Sequence, residues 1–300
     1  MDSAIFFVGH GSRDPEGTQE FERLVERYRH HDPARIVEHG FLEFATPVVE
    51  TGIAECVRRG AKTITLLPGM LMAAGHAKND IPSEIQAARH RHPGVDFHYG
   101  RHLHLHAKII ELCQLRVEET ERQARPHDRR DTLLLVVGRG SSDPDANADV
   151  EKLARLLWEG MGFGWGTACF SGVTFPLLPE ALARCQRMGF GRIIVFPFFL
   201  FTGVLEKRIR ATARAFAAEH PATEILCASC LNTHPLLIDA FRERADEALH
   251  GSPNMNCELC KYRVQLPGYS AAVGQPQQGH HHHVRGIGQH SHAHSLDQPH

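Results

Sequence analysis

Apolar positions in the first part of the chain alternate between two rhythms. Short apolar runs over 4–8, 35–42, 62–68 and 95–100 read as strands, separated by stretches with the i, i+3, i+4, i+7 spacing of an amphipathic helix. Over 15–29, Phe21, Leu24, Val25 and Tyr28 mark one helical face. Asp14 followed by Pro15 supplies an N-cap and a proline suited to the first turn. Further helices are predicted over 47–59, 81–91 and 105–122. The order βαβαβαβα with short connections predicts an α/β fold, a parallel sheet with helices on both faces. In such sheets ligands gather beyond the carboxyl ends of the strands.

The same rhythm then starts again. VGHGSRDP (8–15) returns as VGRGSSDP (137–144), an offset of 129. At that offset Pro47 meets Pro176, Cys56 meets Cys185, Gly60 meets Gly189 and Pro68 meets Pro197. LHAKIIEL (105–112) meets THPLLIDA (233–240) at an offset of 128. The chain is therefore read as two tandem copies of one domain, 1–124 and 131–250, each expected to bury a core of its own. A charged link, RPHDRRD (125–131), joins them. The tail, 251–300, is rich in Gly, Pro, Gln and His and is expected to lack a packed core.

Composition narrows the function classes. With 42% hydrophobic and 23% charged residues the chain is a soluble globular type. A formal net charge of −2 offers no electrostatic case for nucleic acid or an anionic membrane. No stretch approaches the roughly 18–20 apolar residues of a spanning helix. There is no basic segment followed by a long apolar run, so a signal peptide is not expected and the cytoplasm is the expected compartment. Eight cysteines are too dilute for a disulfide scaffold. The anomaly is histidine, with 23 residues, several in tight clusters, which points towards metal.

His10 follows the first predicted strand, between Gly9 and Gly11, where the absence of side chains leaves space for a flat or bulky ligand. The loop also fits a histidine that only satisfies a turn hydrogen bond, and no Walker-type phosphate loop occurs in the chain. His76, in MLMAAGHAKNDIP (70–82), follows the third strand at the same sheet edge. Two such histidines could converge on one divalent ion, and open coordination positions would let that ion be handed on. Glu43, in GFLEFATP (40–47), points to the same edge as ligand or proton acceptor, or else as a salt bridge or helix cap.

These phrases carry a resemblance. GHGSRDP, a glutamate before TP, and GHxxxDIP resemble the class II, ATP-independent tetrapyrrole chelatases, and within them the long bacterial form of sirohydrochlorin cobaltochelatase. The resemblance covers both copies, 2–250, and MNCELCKYRVQLPG (255–268) is similar to the MxCxxC segment of that long form. It implies a lyase that inserts Co²⁺ into sirohydrochlorin in cobalamin biosynthesis. His10 and His76 would be the metal-ligating catalytic histidines, Glu43 would assist, and Gly9, Gly11 and Ser12 would contact the substrate. The chemistry fits the residues: insertion exchanges two pyrrole N–H protons for the ion, so the protein must hold the ion weakly and accept protons. Histidine does both near neutral pH. The same chemistry with iron or nickel is the nearest rival. A metal storage or chaperone protein is the rival from another class, suggested by the histidine-rich tail.

The second copy departs from the pattern. Arg139 stands for His10, Gly172 for Glu43, and Val204 or Leu205 for His76. The first copy is thus expected to insert the metal and the second to complete the cleft. Arg139 would pair there with a substrate carboxylate, or is a leftover of duplication. Cys257 and Cys260 have the CxxC spacing of a zinc, iron–sulfur or thiol-exchange pair. The resemblance favours a 4Fe–4S cluster, completed by CASC (227–230) or across a homodimer. RHLHLH (101–106) offers a helper metal site or a solvated loop face, and the second reading is preferred. GHHHHVRGIGQHSHAH (279–294) reads as a metal buffer.

Overall fold

The fold was obtained as a computed structural model, which describes residues 2–251. Strands β1 (Ser3–Gly9), β2 (Ile36–Phe41), β3 (Thr63–Pro68) and β4 (Asp96–Tyr99) form one parallel sheet in the order β2-β1-β3-β4. They alternate with α1 (Pro15–His31), α2 (Val49–Arg58), α3 (Ile81–Arg91) and α4 (Ala107–Arg122). The second copy repeats this as β5 (Thr132–Gly138), α5 (Pro144–Met161), β6 (Trp165–Phe170), α6 (Leu178–Gln186), β7 (Arg192–Pro197), α7 (Val204–Glu219), β8 (Glu224–Cys227) and α8 (Pro235–His250). Its sheet has the equivalent order, β6-β5-β7-β8. The duplicated α/β architecture is as the periodicity predicts. Helix α4 begins two residues later than expected because His106 serves as its N-cap, its ring nitrogen accepting from Lys108 N at 3.2 Å.

The alternation along β1 shows how the layers are built. Ala4, Phe6 and Val8 enter an outer core with Ile53 of α2 and Ile85 of α3. Ile5 and Phe7 point the other way, into a core containing Leu24 and Ile109 as well as Leu153 and Phe241 of the second copy. In β5, Leu134 and Val136 join that same inner core, whereas Leu133, Leu135 and Val137 face the outer side. The phenyl rings of Phe7 and Phe241 meet edge-on with centroids 5.1 Å apart. Each copy keeps an outer core of its own, as the duplication suggests, but the inner core is common to both. Helices α1, α4, α5 and α8 carry apolar faces that neither sheet covers alone.

The terminal helix of each copy reaches over the other. Arg116 of α4 donates through Nη2 to the Leu231 carbonyl at 2.6 Å. At the equivalent place Arg244 of α8 donates to the carbonyls of His102 and Leu103, each at 3.0 Å. Among the described residues no helix is long and apolar enough to cross a membrane.

Candidate active site: a cleft between the two copies

Register brings three loops together. In the sheet Gly9 lies opposite Phe41 and Val8 opposite Pro68, so β1, β2 and β3 end side by side. The loops that follow carry His10, Glu43 and His76. Glu43 N donates to the His10 carbonyl at 3.0 Å, locking the first two loops together. That approach requires glycine at position 11: its φ is +88°, and a Cβ there would lie 1.7 Å from the Glu43 carbonyl oxygen. The second copy repeats the device, with Gly140 at φ +85° against the Gly172 carbonyl.

The rings of His10 and His76 meet edge-on, centroids 4.6 Å apart. Each is oriented through Nδ1. His10 Nδ1 lies 2.9 Å from the Gly11 carbonyl, which can only accept, so Nδ1 carries the proton and Nε2 the lone pair. His76 Nδ1 lies 2.8 Å from Asp80 Oδ2, which by the same argument fixes the proton on Nδ1 and makes Nε2 the ion-binding nitrogen. Burial, with His76 adjacent, holds the His10 imidazole down at about 4, so the ring is neutral at physiological pH. His76 opens a single π-helical turn, His76–Asp80, that runs into α3 and sets Asp80 four residues from the imidazole it orients. Glu43 is buried near His10.

These residues line a cleft of about 480 Å³ whose walls come from both copies. Phe44, Met70, Leu71 and Met72 face Phe198, Phe199, Leu200 and Phe201, giving an apolar slot. Arg13 and Arg139 also line it. The Arg13 guanidinium lies over the Phe44 ring, 4.8 Å from its centroid. Arg139 donates to the Gly140 carbonyl at 3.2 Å, and neither arginine forms an ion pair among the described residues. Gly11 and Ser12 border the cleft, with the Ser12 hydroxyl accepting from Asp14 N at 3.0 Å. Gly9 lies behind the wall instead: a Cβ there would meet the Phe41 ring at 2.8 Å, so its missing side chain makes room for packing rather than for a ligand.

Two lysines fasten the cleft. Lys78, in the π turn, donates to Asp143 at 2.8 Å and Asp145 at 2.9 Å across the copies, with all three side chains buried. Its counterpart Lys207, 129 positions on, pairs with Asp14 at 2.6 Å and Glu16 at 2.9 Å. This equivalence resolves the alignment gap: Leu205, not Val204, stands for His76. Sequence reasoning missed Lys78 and Asp80. The repeat of D-P-[acidic] after each glycine loop, with a lysine at matching offset, was the available signal for the first, and the i, i+4 spacing from His76 for the second.

The family model described as CbiX matches residues 4–120 and again 133–248, which accounts for both copies. The chain belongs to the CbiX family. Among relatives of this CbiX chain, a sirohydrochlorin cobaltochelatase from Priestia megaterium is 40% identical over 265 residues, 88% of this chain and 85% of that protein. A sirohydrochlorin ferrochelatase from the same organism is 34% identical over 251 residues, covering 84% and 92%. Among solved structures, the sirohydrochlorin chelatase SirB from Bacillus subtilis subspecies spizizenii, in complex with cobalt, superposes with a TM-score of 0.69. The identity is 31%, over 83% of this chain and 95% of that one.

The remaining metal candidates divide. Cys257, Cys260 and the histidine-rich segment 279–294 lie outside the described residues. Within them, burial pushes the Cys227 thiol up to about 11 and the Cys230 thiol up to about 12, so both stay protonated at neutral pH. No cysteine joins a trio of closely placed ligand atoms among the described residues. The RHLHLH stretch is not a solvated face. His102 is fully buried, and only 16% of the His104 and 12% of the His106 side chain is exposed, because α5 and α8 of the second copy cover the loop.

Proposed function

We propose that this chain inserts Co²⁺ into sirohydrochlorin without a nucleotide, with the cytoplasm as its compartment. The observation that carries the reading is the edge-on pair His10 and His76, each with Nδ1 engaged, at the floor of an apolar cleft walled by both copies. Two imidazoles bind a borderline divalent ion without closing its coordination sphere, which suits a metal that must leave. Chelation forms metal–nitrogen bonds and releases two pyrrole N–H protons; a neutral imidazole or the Glu43 carboxylate can take each one as the ion transfers. The apolar slot fits a flat macrocycle, and Arg13 and Arg139 fit its carboxylate rim. In this reading the first copy performs insertion and the second holds the substrate.

Iron is the second reading, favoured by the 34% identical ferrochelatase. Histidine and carboxylate accept either ion. Anaerobic incubation with sirohydrochlorin and Co²⁺, Fe²⁺ or Ni²⁺, followed by the absorption change, separates them by rate. His10→Ala and His76→Ala are each expected to abolish insertion while leaving the far-ultraviolet circular dichroism intact. Normal rates in both variants would overturn the assignment.

A further inference from the structure

A second set of metal-ligand side chains lies at the junction of the copies. Among the described residues, only one trio of histidine, cysteine or carboxylate ligand atoms lies within 4.8 Å of one another: His102, His104 and Asp149. His102 and His104 come from the loop after β4, and Asp149 from α5 of the second copy. His104 Nε2 is 3.2 Å from Asp149 Oδ2, and the two imidazole centroids are 5.2 Å apart. His102 is 0% exposed, yet neither of its ring nitrogens has a hydrogen-bond partner. An imidazole buried with both nitrogens unpaired is costly, and native interiors seldom tolerate one without a reason.

The equivalent junction on the other side of the molecule shows what a metal-free version looks like. There Cys230 stands for His102, Asn232 for His104 and Glu20 for Asp149. His104 and Asn232 share a left-handed backbone, φ 55° and 54°, so the loops are built alike. Asn232 Nδ2 donates to Glu20 Oε1 at 3.1 Å, and Thr202 N donates to Glu20 Oε2 at 2.7 Å. That junction closes with hydrogen bonds. The first junction places imidazoles where the second has a thiol and an amide, and leaves one of them without a partner.

We propose that His102, His104 and Asp149 bind a borderline divalent transition ion, of the Zn²⁺ or Co²⁺ type, that clips the first copy to the second. Two imidazoles and a carboxylate are a suitable donor set for such an ion. Donors bonded at about 2.0–2.2 Å to one tetrahedral ion lie roughly 3–3.5 Å apart. The His104–Asp149 separation already meets this, and the His102 ring has to close the remaining gap. Arg244 fixes the loop backbone through the His102 and Leu103 carbonyls. Arg101 Nη2 lies 3.5 Å from His104 Nδ1, a long contact given up when that nitrogen takes the proton and Nε2 binds the ion. The nearby charge of Lys78 is met by Asp143 and Asp145, and that of Arg244 by Glu247. The clip is structural and stands apart from insertion at His10 and His76.

Equilibrium dialysis of the full chain against Zn²⁺ or Co²⁺ tests it, using a His10→Ala/His76→Ala parent so that the cleft does not contribute. Asp149→Asn and His102→Ala in that parent should each bind one ion fewer per chain, and should lose the metal-dependent rise in Tm shown by the parent. The histidine-rich tail is the same in all three and cancels from the difference. Asp149→Asn keeps shape and carries the test if His102→Ala fails to fold. Equal stoichiometry and equal metal-dependent Tm in parent and folded variants would overturn the proposal.

Discussion

Gly11 sets how closely the first two loops of the site approach, and its substitution tests that geometry. With φ +88° and no space before the Glu43 carbonyl, Gly11→Ala must push the loops apart. The expected loss is more than about 1 kcal/mol in urea unfolding, together with loss of insertion. Asp80 acts through His76, so Asp80→Asn should leave the fold intact and weaken metal use about 10- to 100-fold, seen as a raised KM for the ion. An unchanged KM would show that Asp80 does not orient the ring. His10, Glu43 and His76 were legible as candidates because each follows a strand, and strand ends can be read from local periodicity. Asp80 falls just before the helix predicted over 81–91, and nothing in the spacing of apolar residues marks it as a partner of His76. Only the π turn reveals that it faces back onto the imidazole.

At the scale of elements, the two lysine clasps look alike in sequence but differ in environment. Lys78 is buried with Asp143 and Asp145, so Lys78→Ala removes a buried ion-pair partner and should cost about 3–5 kcal/mol. Lys207→Ala removes a half-exposed partner and should change the denaturation midpoint little, since exposed pairs contribute weakly. Burial opposes the Lys78 charge, but its two carboxylates win and raise its pKa above the ordinary lysine value. The sign follows: the folded state holds this proton more tightly than the unfolded chain. The contribution is complete below the usual lysine range near 10.5 and is lost as pH rises through the folded value. Wild-type stability measured from pH 9 upward should therefore fall more steeply than that of Lys78→Met. The elements themselves were largely legible, since helices and strands follow from the spacing of apolar residues. Which lysine would be buried was not.

For the whole molecule, the inner core decides how the chain unfolds. Residues of both copies, among them Phe7 and Phe241, pack in one cluster, so neither copy can open without exposing the other. Thermal unfolding followed by near- and far-ultraviolet circular dichroism should show one coincident transition. Two separated transitions would mean that the copies fold independently. The sequence by itself determined the duplication, the order of strands and helices, and the sheet edge that carries His10, Glu43 and His76. Those follow from spacing within a segment and from likeness between segments, both of which are properties of a linear chain. Tertiary structure alone decided that the copies share a core, that Lys78 meets Asp143 and Asp145, and that His102 is buried beside His104 and Asp149. Periodicity tells which face of a helix is apolar; in a duplicated chain it does not tell which copy will cover that face.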